Sequence, residues 1–211
     1  MISRKSVFYV IVLMSCCNLA ISSDLLEAIY KNDIARAKVV ISSGVDINGE
    51  KGKDSPLMAT ADNCRVDIFD LLIDSGAKIS HPYPLLSQAV GRDCAEIYFK
   101  LANIKFVESQ KKKDHLLLNA AGVSYEGYIS VVEDIIKRGA NPIVIVPGTV
   151  FPQNPINAAY LAKRNTYSRG AQDVYDFLIK VAIKRTGKSE REIYRKYVEM
   201  FVFDVENCEA C

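Results

Sequence analysis

Tryptophan is absent from the 211 residues, and histidine occurs only twice, as His81 and His115. Two imidazoles leave little material for a His-rich metal site. Neither sign of charge is in excess. Against 27 Lys+Arg stand 25 Asp+Glu, and a net charge of +2 excludes a strongly basic nucleic-acid binder on composition alone. The chain has no G-x-S-x-G, no H-E-x-x-H, no Walker-type glycine loop and no dinucleotide fingerprint. No catalytic residue, metal or cofactor is therefore expected. What is present, 49% hydrophobic and 25% charged residues, makes a folded chain. Its length suits one domain or an array of small units.

Arg4 and Lys5 precede an apolar run from Val7 to Met14, followed by small and polar residues from Ser15 to Ser22. The run is too short for a bilayer, which takes about 20 helical residues. A basic start, a short apolar stretch and small residues at a cut predict a secretory signal peptide over residues 1–22. Two processing routes fit. Ala20-Ile21-Ser22 offers a conventional site that leaves Ser23 first, whereas Leu13-Met14-Ser15-Cys16 resembles the bacterial lipobox, with Cys16 lipidated and Met14 unusual there. The expected location is outside the cytoplasm: the periplasm, or the outer membrane as a lipoprotein, if the source is bacterial. Loss of Arg4 and Lys5 takes the 27 cations to 25, equal to the 25 acids. The exported body is neutral, so neither nucleic acid nor anionic lipid is an expected partner, and membrane contact would come only through a lipid anchor.

Two segments then align without a gap. Asp24-Leu25-Leu26-Glu27-Ala28 and Pro56-Leu57-Met58-Ala59-Thr60-Ala61 start helices 32 positions apart, and Gly44 and Gly76 follow second helices at the same interval. Glycine there ends a helix in a left-handed turn without a side-chain clash. Pro56 and Pro84 sit in first helical turns, where a missing N–H costs nothing. A two-helix unit of this size cannot bury its apolar face alone, so the units are expected to stack.

These residues resemble the ankyrin repeat. Ser55-Pro56-Leu57-Met58-x-x-Ala61 is similar to the family's T-P-L-H-x-A-A opening, with Met58 in place of His. Ile68-Phe69-x-x-Leu72-Ile73-x-x-Gly76-Ala77-x-Ile79 is close to its second helix and turn. Tyr83-Pro84-Leu85-Leu86-x-x-Ala89 restarts the pattern, with Ile97 to Ala102 as second helix and no terminal glycine. His115-Leu116-Leu117-Leu118-Asn119-Ala120-Ala121 restarts it again, and its second helix ends in Arg138-Gly139-Ala140-Asn141-Pro142. Asn154-Pro155-Ile156-Asn157-Ala158-Ala159 opens a fifth copy, with Val174 to Ala182 as second helix. The expected fold is all-α: an ankyrin solenoid of about five units over residues 23–182, then a capping helix and a Cys-containing tail over 183–211. Ser189-Glu190-Arg191-Glu192 reads as the start of that cap, with Ile193, Tyr194, Tyr197, Val198 and Phe201 on its apolar face.

The resemblance implies a protein-binding surface on the hairpin tips. The candidate contact residues are Lys51 and Lys53, Tyr83, the run Lys111, Lys112 and Lys113 in an extended tip, Tyr125 and Tyr128 on an enlarged turn, and Phe151. The apolar loop 143–153 either folds back on the array or anchors a partner. His115 falls near the family's T-P-L-H position and is expected to serve the helix start. Cys64 and Cys94 lie 30 positions apart in the breaks of neighbouring units. Ankyrin units stack about 10 Å apart and a disulfide needs Cα atoms within about 7 Å, so pairing requires a local bend. Cys208-Glu-Ala-Cys211 reads as a local disulfide or frayed tail rather than half a zinc site. The implied partner is another protein, either a secreted toxin such as a lipase effector, neutralised by this chain as an immunity protein, or an envelope enzyme that it accompanies.

Overall fold

In a computed structural model of the chain, residues 24–49, 55–122, 128–145, 154–166 and 169–199 are described. All regular structure among them is helical. The helices are α1 (24–31), α2 (Ile34–Ser42), α3 (Pro56–Asp62), α4 (Val66–Asp74), α5 (Pro82–Gly91), α6 (Ala95–Ile104), α7 (Gln110–Ala121), α8 (Ile129–Lys137), α9 (Pro155–Thr166), α10 (Arg169–Thr186) and α11 (Glu190–Tyr194), closed by a π-helical turn, Arg195–Glu199. The first ten fall into five consecutive pairs. The chain divides into two compact units, Met1–Gln88 and Ala89–Cys211, with the boundary inside α5.

In the first unit, α3 packs against α4, and α4 against α2, the second helix of the preceding pair. Leu25, Ala28, Ile29, Ala37, Leu57, Ala61, Ile68, Phe69 and Leu72 are buried. Caps set the helix starts. The Asp33 carboxylate accepts the Arg36 N–H at 2.9 Å, and Ser55 Oγ accepts that of Met58 at 3.3 Å ahead of Pro56. Such a cap is worth about 1 kcal/mol. Asn48 Oδ1 accepts the Lys78 N–H at 2.8 Å and ties the loops after α2 and α4 together.

In the second unit α7 meets α8 and α9, α8 meets α6 and α10, and α9 meets α10. Ile97, Leu101, Leu116, Leu117, Val131, Val132, Ile135, Ile156, Val174 and Leu178 are fully buried between them. This neighbour-to-neighbour pattern is how hairpins bury faces that none could bury alone.

The turns repeat as faithfully as the helices. Between the helices of the first three pairs a non-glycine residue takes a positive φ: Asn32 at 55°, Cys64 at 49° and Asp93 at 56°. The following residue then donates its N–H five positions back: Asp33 to Ala28, Arg65 to Thr60 and Cys94 to Ala89, at 2.8–2.9 Å. Asn and Asp tolerate this left-handed geometry better than most residues, and Cys64 is the exception. After α2, α4 and α8 the left-handed residue is glycine: Gly44 at 84°, Gly76 at 90° and Gly139 at 102°. There Ala77 donates to Leu72 and Ala140 to Ile135, closing the helix ends.

Two boundaries depart from the sequence reading. Helix α7 begins at Gln110, not near residue 115, because Gln110 Nε2 donates to Asp114 Oδ1 at 2.8 Å and the helix gains a turn. Lys111 to Lys113 therefore lie in a first helical turn and not in an extended tip. Helix α10 starts at Arg169, ahead of Val174. In the C-terminal segment Ser189 and Glu192 form a reciprocal capping box, and α-geometry gives way to π-geometry after Tyr194.

Replacing Gly76 by Ala tests the turn directly. A Cβ there meets nothing within 4 Å, so the cost is that of the backbone conformation alone. Gly76→Ala is expected to lose about 1 kcal/mol in urea unfolding, and Gly76→Asn distinctly less.

Candidate protein-interaction surface

The best-defined hairpin end is built from α7 and the loop after α8. Asp114 is buried and accepts two hydrogen bonds, from Gln110 Nε2 and from the backbone N–H of Asn141, each 2.8 Å long. Gln110 Nε2 also donates to the Gly139 carbonyl at 3.0 Å. Lys113 Nζ lies 3.8 Å from where a Gly139 Cβ would stand, an ordinary contact distance, so the glycine is required by its positive φ and not by the lysine. Lys111 and Lys112 are exposed and Lys113 half-buried. The first turn of α7 has no acidic residue, and Ser109 makes no side-chain cap. Cations at a helix N-terminus oppose the macrodipole, at a cost of roughly a few tenths of a kcal/mol each.

A second network fixes the neighbouring segment. Arg138 Nε donates to Asp134 Oδ2 at 2.6 Å, its Nη1 to the Ala102 carbonyl at 3.1 Å and its Nη2 to Asn103 Oδ1 at 3.3 Å. Its guanidinium lies 4.8 Å from the Phe106 ring centroid. The buried Tyr98 hydroxyl donates to the same oxygen, Asp134 Oδ2, at 2.8 Å. Burial first, then that bond, push the Tyr98 phenol well above the ordinary tyrosine range, against the pull of Arg138. The Asp134-x-x-x-Arg138 spacing was the available sequence signal; its partners on α6 were not.

At the C-terminal end, Asn154 is fully buried; its Oδ1 accepts the Asn157 N–H and its Nδ2 donates to the Tyr197 carbonyl, each at 2.9 Å. Tyr160 stands against Tyr175 and Tyr194 with ring centroids 5.8 and 5.7 Å apart, and Lys163 Nζ lies 4.5 Å from the Tyr175 ring. The Tyr194 hydroxyl donates to that of Tyr160 at 3.4 Å. That bond and then burial raise the Tyr194 phenol to about 12, and burial followed by Glu190 does the same for Tyr175.

The expected contact residues divide as follows. Lys51, Lys53, Tyr125 and Phe151 lie outside the described residues, as do Cys16, Cys208 and Cys211. Loop 143–153 is described only to Ile145, which is 45% exposed, and its last residue before the next helix is Gln153, also outside. Tyr83 is half-buried in the first turn of α5. Tyr128 corrects the sequence reading: it is 1% exposed and its hydroxyl donates to the Val90 carbonyl at 2.7 Å. It fills the core of its unit and offers no side chain to a partner. His115 is half-buried, with Nε2 enclosed and making no hydrogen bond. Cys64 and Cys94, the two cysteines among the described residues, are both disulfide-bonded. No group of three or more His, Cys, Asp or Glu among the described residues is placed to hold a metal ion, and none of the described helices is long and apolar enough to cross a membrane. No family model and no curated protein matches the chain.

Tyr128→Phe would leave the Val90 carbonyl with the long bond from the Asp93 N–H, 3.4 Å, and is expected to cost about 1 kcal/mol in denaturant unfolding, with little change in helical circular dichroism. The phenols of Tyr175 and Tyr194 hold their protons more tightly folded, at about 12, than unfolded, at about 10. Their contribution to stability is complete below the lower value and lost as pH rises through the upper one. The midpoint of thermal unfolding should therefore fall between about pH 10 and pH 12, and Tyr175→Phe should flatten that fall.

Proposed function

We propose that this chain is an exported, non-enzymatic ankyrin-repeat protein that binds another protein, and that its partner is a secreted toxin, such as a lipase effector, which it neutralises as an immunity protein. The observation that carries the reading is the recurrence of one two-helix unit. Five helix pairs follow one another, with left-handed residues at Asn32, Cys64 and Asp93 within pairs and at Gly44, Gly76 and Gly139 after them. Stacked hairpins of this kind present a broad, rigid surface whose tips vary independently of the core. The tips would occlude or misalign the toxin's active site. Export is supported by the N-terminal pattern of residues 1–22 and by the disulfide bonding of Cys64 and Cys94, which oxidising compartments favour.

A protective accessory protein for an envelope enzyme is the second reading, favoured by the same surface and distinguished by the partner's chemistry. Co-expression of the full chain with the product of the adjacent gene tests both. A co-purifying complex that protects cells from an otherwise lethal product is the result expected of an immunity protein. A complex with a harmless, active enzyme would replace it with the accessory role, and the lack of any complex would overturn protein binding by this chain. Mass measurement of the mature N-terminus separates a lipidated Cys16 from cleavage after Ser22.

A further inference from the structure

Asn48-Gly49 is the one Asn-Gly pair in the sequence. It lies in the loop between α2 and α3, with Asn48 exposed and Gly49 half-buried. The side-chain amide of an asparagine is open to attack by the backbone nitrogen of the residue that follows it. Glycine, with no Cβ, hinders that approach least. Every other asparagine in the chain is followed by a residue that carries a Cβ.

Three features of the loop act on this pair. Gly49 stands at a φ of 62°, where a side chain is disfavoured, so the turn that calls for glycine also creates the labile neighbour. The Gly49 N–H donates no hydrogen bond to any described residue, and nothing has to be broken before its nitrogen reacts. Asn48 Oδ1 accepts the Lys78 N–H at 2.8 Å. That oxygen gains negative charge when the amide carbon is attacked, and a donor already fixed there stabilises the charge as it develops. The Asn48 N–H is held in turn by Asp46 Oδ1 at 2.9 Å.

From this arrangement we infer that Asn48 is a site of spontaneous deamidation in the folded chain, and that the modification unties the loops after α2 and α4. The Gly49 nitrogen gives up its proton to solvent base and bonds to Asn48 Cγ. The Cγ–Nδ2 bond breaks, and Nδ2 leaves as ammonia with a proton taken from water. Water then opens the succinimide at either carbonyl and leaves aspartate or isoaspartate at position 48. Isoaspartate lengthens the backbone by a methylene and draws the acceptor away from Lys78, whereas aspartate keeps an oxygen in its place. The inference does not depend on what the chain binds.

The test incubates the full chain, folded, at mildly alkaline pH, beside the same chain unfolded in urea. Peptide mass spectrometry should show the segment around Asn48 exchanging amide for acid in the folded chain at a rate within about tenfold of that in urea, a small difference in barrier. Labelling by an isoaspartate-specific methyltransferase should follow the conversion. The midpoint of thermal unfolding should drift down as the parent ages, and that of Asn48→Gln, whose ring closes more slowly, should stay where it began. Fresh Asn48→Asp, which has the charge without the methylene, should unfold later than the aged parent. Conversion in urea but not in the folded chain would show that the fold protects Asn48, and would overturn the inference. So would conversion in neither, or conversion with no drift of the midpoint. Fresh Asn48→Asp unfolding as early as the aged parent would assign the loss to charge and overturn the untying by a longer backbone.

Discussion

Burial of apolar helix faces against the neighbouring helix pair is the interaction on which everything else here depends. A hairpin such as α3–α4 is seven residues facing nine, too short to be stable in water on its own. Its residues Leu57, Ile68, Phe69 and Leu72 are removed from solvent because α2 and the partner helix cover them. In the second unit the longer α7, α9 and α10 repeat the device, with Leu116, Leu117, Val174 and Leu178 between them. Each pair is a template for the next, and stability accumulates locally along the chain.

That dependence explains why the turns are so regular. A helix pair can stack only if its second helix leaves the turn at the angle its neighbour uses. Left-handed residues at Asn32, Cys64 and Asp93 fix one corner, and glycines at 44, 76 and 139 fix the other. Cys64 is the informative deviation. A residue poorly suited to this backbone occupies a position where Asn and Asp stand in adjacent pairs, and it is a disulfide-bonded one.

The surface shows the opposite balance. Around Gly139 a buried carboxylate, Asp114, and a paired one, Asp134, are used to hold the loops in place, and Lys105, Lys111 and Lys137 are exposed. At the far end of the second unit, Asn154 anchors the π-helical turn through the Tyr197 carbonyl, and Tyr160, Tyr175 and Tyr194 close the last pair. Polar groups are buried where they lock geometry and charges are exposed where geometry is already locked.

The sequence by itself determined the helical content, the five pairs and the glycine turns, because apolar spacing, Pro56, Gly44, Gly76 and Gly139 act within a few residues of themselves. Ser189 and Glu192 were legible for the same reason, a capping box being a local contact. The start of α7 was not, since the Asp114 carboxylate that accepts from Gln110 is itself held by the N–H of Asn141, 27 positions away. Nor was the burial of Tyr128, whose hydroxyl meets the carbonyl of Val90, 38 positions earlier. Only the tertiary structure decided which tyrosines face inward and which carboxylates are consumed internally, because those outcomes are set by contacts between helices whose separation in sequence carries no periodic signal.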